Sequence, residues 1–113
     1  MLEKELWEKC IEFHGHECGG IAAGFRAALY AKKVLGHVDH VTAYTKKCPV
    51  DAFPVVLGCS RENGRLTVEN IERVEFIFEN EERSLHVAVK SKPNGAPQGS
   101  RYWLEATDDE LFI

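Results

Sequence analysis

The sequence predicts an α+β domain in which N-terminal helices pack on a mostly antiparallel sheet. Three observations carry this reading. Apolar residues recur at helical spacing through the first third of the chain. Short alternating runs separated by turn residues follow. No internal repeat or linker interrupts that order of helices then strands, so residues 1–113 read as one layered domain. A chain of 113 residues, 44% of them hydrophobic, can build a core without help from disulfides or a metal.

The first helix is expected over residues 2–13. Leu2, Leu6, Cys10 and Phe13 form its stripe, with Trp7 beside them and Glu and Lys opposite. A second helix runs from about Gly19-Gly20 to Leu35, with Ile21, Phe25, Ala28, Leu29 and Leu35 facing the core. Gly24 and the alanines around it imply a close neighbour, and Gly36 stops the helix. Val41 to Thr45 reads as a strand. Cys48-Pro49-Val50-Asp51 reads as a loop feeding a short helix. Asp51 is placed as its N-cap, Pro54 in its first turn and Gly58 at its end. Asn63-Gly64 is a turn before a strand at Leu66 to Val68. Val74, Phe76 and Phe78 alternate, as do Leu85, Val87 and Val89, which predicts an antiparallel hairpin about Glu81-Glu82. Residues 92–100 read as an exposed loop. Tyr102, Trp103 and Leu104 return to the core, and a last helical turn runs from Asp108 to Leu111-Phe112.

A net charge of −4, with acidic residues gathered between Glu69 and Glu82 and no basic patch, argues against nucleic-acid binding. No apolar run reaches membrane-spanning length, and the charged N-terminus is unlike a signal peptide, so a cytoplasmic protein is expected. Thiols stay reduced there. Cys10, Cys18, Cys48 and Cys59 therefore read as core, metal or catalytic cysteines, and without a CxxC they suggest neither a zinc ribbon nor a thioredoxin motif.

The main chemical feature is His14-Gly15-His16-Glu17-Cys18-Gly19-Gly20. In extended chain alternate residues point the same way, so His14, His16 and Cys18 can share a side as three ligands for zinc or a similar divalent metal. Cys18 also precedes a helix start, where free N–H groups favour a thiolate. The purely structural alternative is a turn with a capping histidine and a half-buried cysteine. A second block, Cys48-Pro49-Val50-Asp51 with Gly58-Cys59-Ser60, lies at element boundaries. Cys59, and after it Cys48, are further site candidates, and Asp51 can orient a histidine. Otherwise Asp51 is only a cap and both cysteines are core. Arg26 can face an anion or simply be solvated. Cys10 reads as core, and His37, His40 and His86 as exposed.

Phe13-His14-Gly15-His16-Glu17-Cys18, with Gly20, Gly24, Arg26 and Ala27-Ala28, resembles the opening signature of the FmdE-like family of formylmethanofuran dehydrogenase proteins. Cys48 to Phe53, Leu57-Gly58-Cys59-Ser60 and Asp109 to Phe112 are similar to its later blocks. The resemblance covers the core domain without the cysteine-rich C-terminal zinc finger that some members add. It departs from the family at Gly19, usually proline, at Pro54, usually glutamine, and at Glu62, commonly glycine. It implies a homodimeric α+β domain with a His/Cys cleft for a metal such as zinc, related to the molybdenum or tungsten enzymes of methanogenesis. On the combined reading His16, Cys18 and Cys59 hold the metal. His14 serves as a fourth ligand or acid–base group, and Asp51 as its orienter, with Cys18, His14 and Asp51 as the catalytic candidates. The alternatives are an accessory or metal-sensing component of a redox enzyme, and a thiol redox protein in which Cys59 or Cys48 resolves Cys18.

Overall fold

The computed structural model describes residues 2–90, 95 and 99–112. Helix α1 (Leu2–His14) leads into α2 (Gly19–Leu35), strand β1 (His40–Ala43), a 3-10 turn (Cys48–Asp51) and α3 (Ala52–Leu57). Strands β2 (Leu66–Val68), β3 (Glu75–Glu79) and β4 (Ser84–Ala88) follow, then the short helices α4 (Arg101–Glu105) and α5 (Asp108–Leu111). Most of the stretch expected as an exposed loop, 92–100, lies outside the described residues.

The strand order is β2-β1-β3-β4, with β1 and β2 parallel and the other neighbours antiparallel. A parallel pair needs a crossover, and the 3-10 turn and α3 supply it. Alternation puts Phe76 and Phe78 of β3 on the buried face, where Phe53 of α3 meets them edge-on at 4.9 and 5.5 Å between ring centres. Helix α2 lies over this core and buries Ile21, Phe25, Ala28 and Leu35. The fold is the expected α+β arrangement, with the sheet mixed through its one parallel pair.

Several local expectations shift. In α1, Leu6, Trp7 and Cys10 pack inward as expected, but at the last turn His14 takes the inward place while Phe13 is turned aside and 58% exposed. Val74 falls outside β3 and is exposed, because β3 begins at Glu75. Tyr102, Trp103 and Leu104 are half-buried against the core edge. Asp51 makes no cap bond; its backbone is helical and its carboxylate is engaged elsewhere. Arg26 faces an anion of the chain itself, the Asp108 carboxylate, and does not lie free in solvent. It donates to the carbonyls of Trp103 (2.7 Å) and Ala106 (2.6 Å) and to Asp108 Oδ1 (3.0 Å), fixing α4 and α5 to α2.

The closest approach of backbones is between α2 and the 3-10 turn. A Cβ on Gly24 would stand 2.1 Å from Pro49 O, and one on Gly20 would stand 2.6 Å from Cys48 Cβ. The two glycines are one helical turn apart and form a bare strip on which Cys48-Pro49 rests. Gly24→Ala should therefore cost about 3 kcal/mol of stability, the upper end for forcing an extra methyl into a packed site. Urea unfolding tests this; an unchanged midpoint and slope would rule out the close contact.

Candidate metal centre

His14 ends α1 and Cys18 stands at the N-cap of α2. The chain reverses between them at Gly15, whose φ of +99° suits glycine and strains other residues. The reversal folds the HxHxC segment on itself. One ring nitrogen each from His14 and His16 and the sulfur of Cys18 lie within 4.8 Å of one another. The two imidazoles stand 4.5 Å apart, tilted by 38°. His14 Nε2 is 3.7 Å from Cys18 Sγ. On its other side, His14 Nδ1 is 2.6 Å from Asp51 Oδ2.

Asp51 reaches His14 because the 3-10 turn is pressed onto α2. The same contact sets Cys48 against the first turn of α2, with Sγ 3.4 Å from where a Gly20 side chain would begin. Cys48 lies near enough to Cys18 for each thiol to affect the other's ionisation, which makes Cys48 the fifth polar group of the cluster.

The electrostatics separate the four cysteines, all of them free thiols. Burial pushes the Cys10 thiol up to about 11 and the Cys59 thiol up as well. Cys48 is raised, first by burial and then by the neighbouring Cys18. Cys18 alone is lowered. Burial raises it, but hydrogen bonds from Ile21 N–H, the Cys48 thiol, His14 and Gly20 N–H outweigh burial. Its side chain closes no formed cap, so these first-turn N–H groups act as a local positive field. His14 is raised above its ordinary 6.5, chiefly by its hydrogen bond to Asp51. Without a metal, the cluster therefore favours an imidazolium beside a thiolate.

The donor set and spacing fit a tetrahedral ion. Nitrogen and sulfur ligands at about 2.1 and 2.3 Å from zinc stand about 3.6 Å apart, and His14 Nε2 and Cys18 Sγ are 3.7 Å apart. A carboxylate on Nδ1 leaves the Nε2 lone pair free, the tautomer that metal-bound histidines use.

Residues 13–110 match the family model described as FmdE, molybdenum formylmethanofuran dehydrogenase operon. The chain belongs to the FmdE family. No curated protein matches it. The matched span contains every residue of the cluster and both glycines of the α2 strip.

In this FmdE domain the structure gathers His14, His16 and Cys18, and adds Asp51 and Cys48 to them. It does not bring Cys59 there. That side chain is fully buried, and its thiol is nearest the carbonyls of Val38 and Leu57, at 3.8 Å each. The sequence ranks Cys59 ahead of Cys48, and the fold reverses that order. Gly20 and Gly24 carry the missed signal, because a bare strip starting two residues after Cys18 shows where another segment docks. Cys10 is core, as expected. His37, Asp39 and Glu81 form a separate, fully exposed group, with His37 Nε2 3.0 Å from Glu81 Oε2. Gly19, where the family usually has proline, lies against the Trp103 indole; a Cβ there would be 2.9 Å from Nε1. A cleft of about 540 Å3 opens beyond Cys48, bordered by Gly19-Gly20 and Trp103.

Two measurements on chelator-treated protein follow from the His14–Asp51 pair. In Asp51→Asn, His14 loses its anionic partner and Cys18 the imidazolium, so the pH profile of Cys18 alkylation should move to higher pH. An unmoved profile would mean that Asp51 does not govern the thiol. Folding raises the His14 pKa above its ordinary 6.5, so the pair's stabilisation is complete below that pH and is lost as pH rises through the folded value. The melting-temperature gap between the parent and Asp51→Asn should accordingly be wider near pH ~5.5 than near pH ~9.

Proposed function

We propose that this FmdE domain is a metal-binding protein whose divalent ion, zinc on its donor set, is held by His14, His16 and Cys18. One observation carries the reading: His14 is bound at Nδ1 by Asp51 and presents Nε2 toward Cys18. Two nitrogens and a thiolate suit zinc or another borderline-soft ion. With three protein ligands and an open position, such an ion supplies Lewis acidity for a carbonyl or a bound water.

The chain's own groups prepare the site. Asp51 fixes the tautomer and orientation of His14. The first turn of α2 and the Cys48 thiol favour the charged sulfur, so less free energy is needed to deprotonate Cys18. His16, exposed and tilted against His14, serves as the outer ligand. In this reading Cys18, His14 and Asp51 are the groups nearest any chemistry.

The family description names a molybdenum formylmethanofuran dehydrogenase operon. We therefore place the domain beside a redox enzyme of several chains, as a homodimeric cytoplasmic component or a metal-sensing accessory. No described helix is long and apolar enough to cross a membrane. A second reading rests on Cys48, whose thiol neighbours that of Cys18 closely enough to shift its ionisation. It is a thiol protein in which Cys18 reacts and Cys48 resolves it.

Metal analysis by mass spectrometry, on protein purified without chelator, separates the two. About one metal per chain is expected, lost in Cys18→Ser and His16→Ala, with affinity weakened ~10–100-fold in Asp51→Asn. A metal-free parent whose Cys18 alkylates rapidly near neutral pH would overturn the metal reading in favour of the thiol one.

A further inference from the structure

The cleft beyond Cys48 shares a wall with the metal centre and differs from it in character. Its volume is about 540 Å3, within the range of sites for small organic ligands. One side is the first turn of α2, where Gly19 and Gly20 expose bare backbone. Beside it is Trp103, whose indole lies against Gly19, so backbone and indole form adjoining parts of the lining. Val74 and Val89 extend the apolar lining. An aromatic side chain in the lining offers a flat ring system a partner to pack on.

The charges around the cleft have one sign. Lys47 and Lys90 both line it, and no carboxylate does among the described residues. Among the described residues neither lysine forms an ion pair there. Lys90 Nζ donates to the carbonyl of Asp109 at 2.8 Å, which steadies the ammonium and leaves it two further protons to donate. The buried Thr45 hydroxyl, which accepts from Lys47 N–H at 3.2 Å, adds a polar group in the lining. On a chain of net charge −4, two cations with no carboxylate among the described lining residues favour an anionic ligand in this cleft.

We infer that this cleft binds an organic anion: a flat, unsaturated body against Trp103 and the α2 backbone, with a carboxylate or phosphate head between Lys47 and Lys90. The inference rests on the proposed function for its meaning as a substrate site, since Cys48 is the wall common to cleft and metal centre. A ligand seated there borders Cys48, the side on which Cys18 lies. Binding itself requires no metal, so the two readings fail separately.

The test uses Trp7→Phe, which leaves Trp103 as the single tryptophan. Trp7 packs on Phe25 away from this cleft, so the replacement keeps an aromatic ring in place. Fluorescence is titrated with 2-naphthoate, 2-naphthyl phosphate and the uncharged 2-naphthamide, with and without chelator. Saturable quenching is expected, with at least one acid binding ~10-fold more tightly than the amide. That preference should disappear in Lys47→Gln/Lys90→Gln and in Val74→Glu, which sets a carboxylate at an exposed position of the lining. Both variants alter side chains at the cleft rim, and circular dichroism checks that they fold. Equal binding of acids and amide, or no saturable quenching in the folded Trp7→Phe protein, would overturn the inference. Naphthoate binding that persists without metal would leave the cleft standing even if the metal reading fell.

Discussion

The close contact between α2 and the Cys48–Asp51 turn is the constraint from which the rest of the site follows. Gly20 and Gly24 bring two backbones together at a distance that no side chain allows. That contact presses the turn against the start of α2. Asp51 then reaches His14 from across the fold, and Cys48 reaches Cys18. The packing also explains why Asp51 does not cap α3, since its carboxylate is taken up by an imidazole 37 positions earlier. A cap contributes about 1 kcal/mol. A short charge-assisted bond to a histidine that is largely shielded from water contributes more.

Much of the fold was legible because its signals are periodic. The stripe of α2, the alternation in β3 and β4 and the glycine stops at 36 and 58 are local, and each determined its element. The failures came where two segments compete for one position. Phe13 is as apolar as the stripe expects, yet His14 takes the inward place, because Asp51 waits there to satisfy it. Arg26 looked solvated because nothing local offers it a partner. Its acceptors are carbonyls nearly eighty positions later in the chain.

The site was legible to the same extent. Two histidines and a cysteine at alternate positions announce a ligand set, and the structure gathers them, although by a reversal at Gly15 in place of an extended strand. Which distant cysteine joins them was not legible. Cys48 and Cys59 have similar local settings, and the choice depends on which face of the α2–α3 region each one meets. Burial and partners separate them: Cys59 is sealed in the core with two carbonyls, and Cys48 is half-buried beside a thiol whose pKa is depressed.

The Arg26 anchor has a consequence for the shape of the cleft. Helix α4 carries Trp103 but has no fully buried residue of its own, so the guanidinium adds to the half-buried packing of Tyr102, Trp103 and Leu104 in settling its position. Arg26 rises from α2, the same helix whose first turn forms the adjoining part of the lining. Both parts of the lining are thus referenced to one helix. The guanidinium does this by reaching several acceptors at once from a planar fork, and an ammonium is a single point charge. A lysine at this position would keep the charge and the pairing with Asp108 while holding the indole wall less firmly.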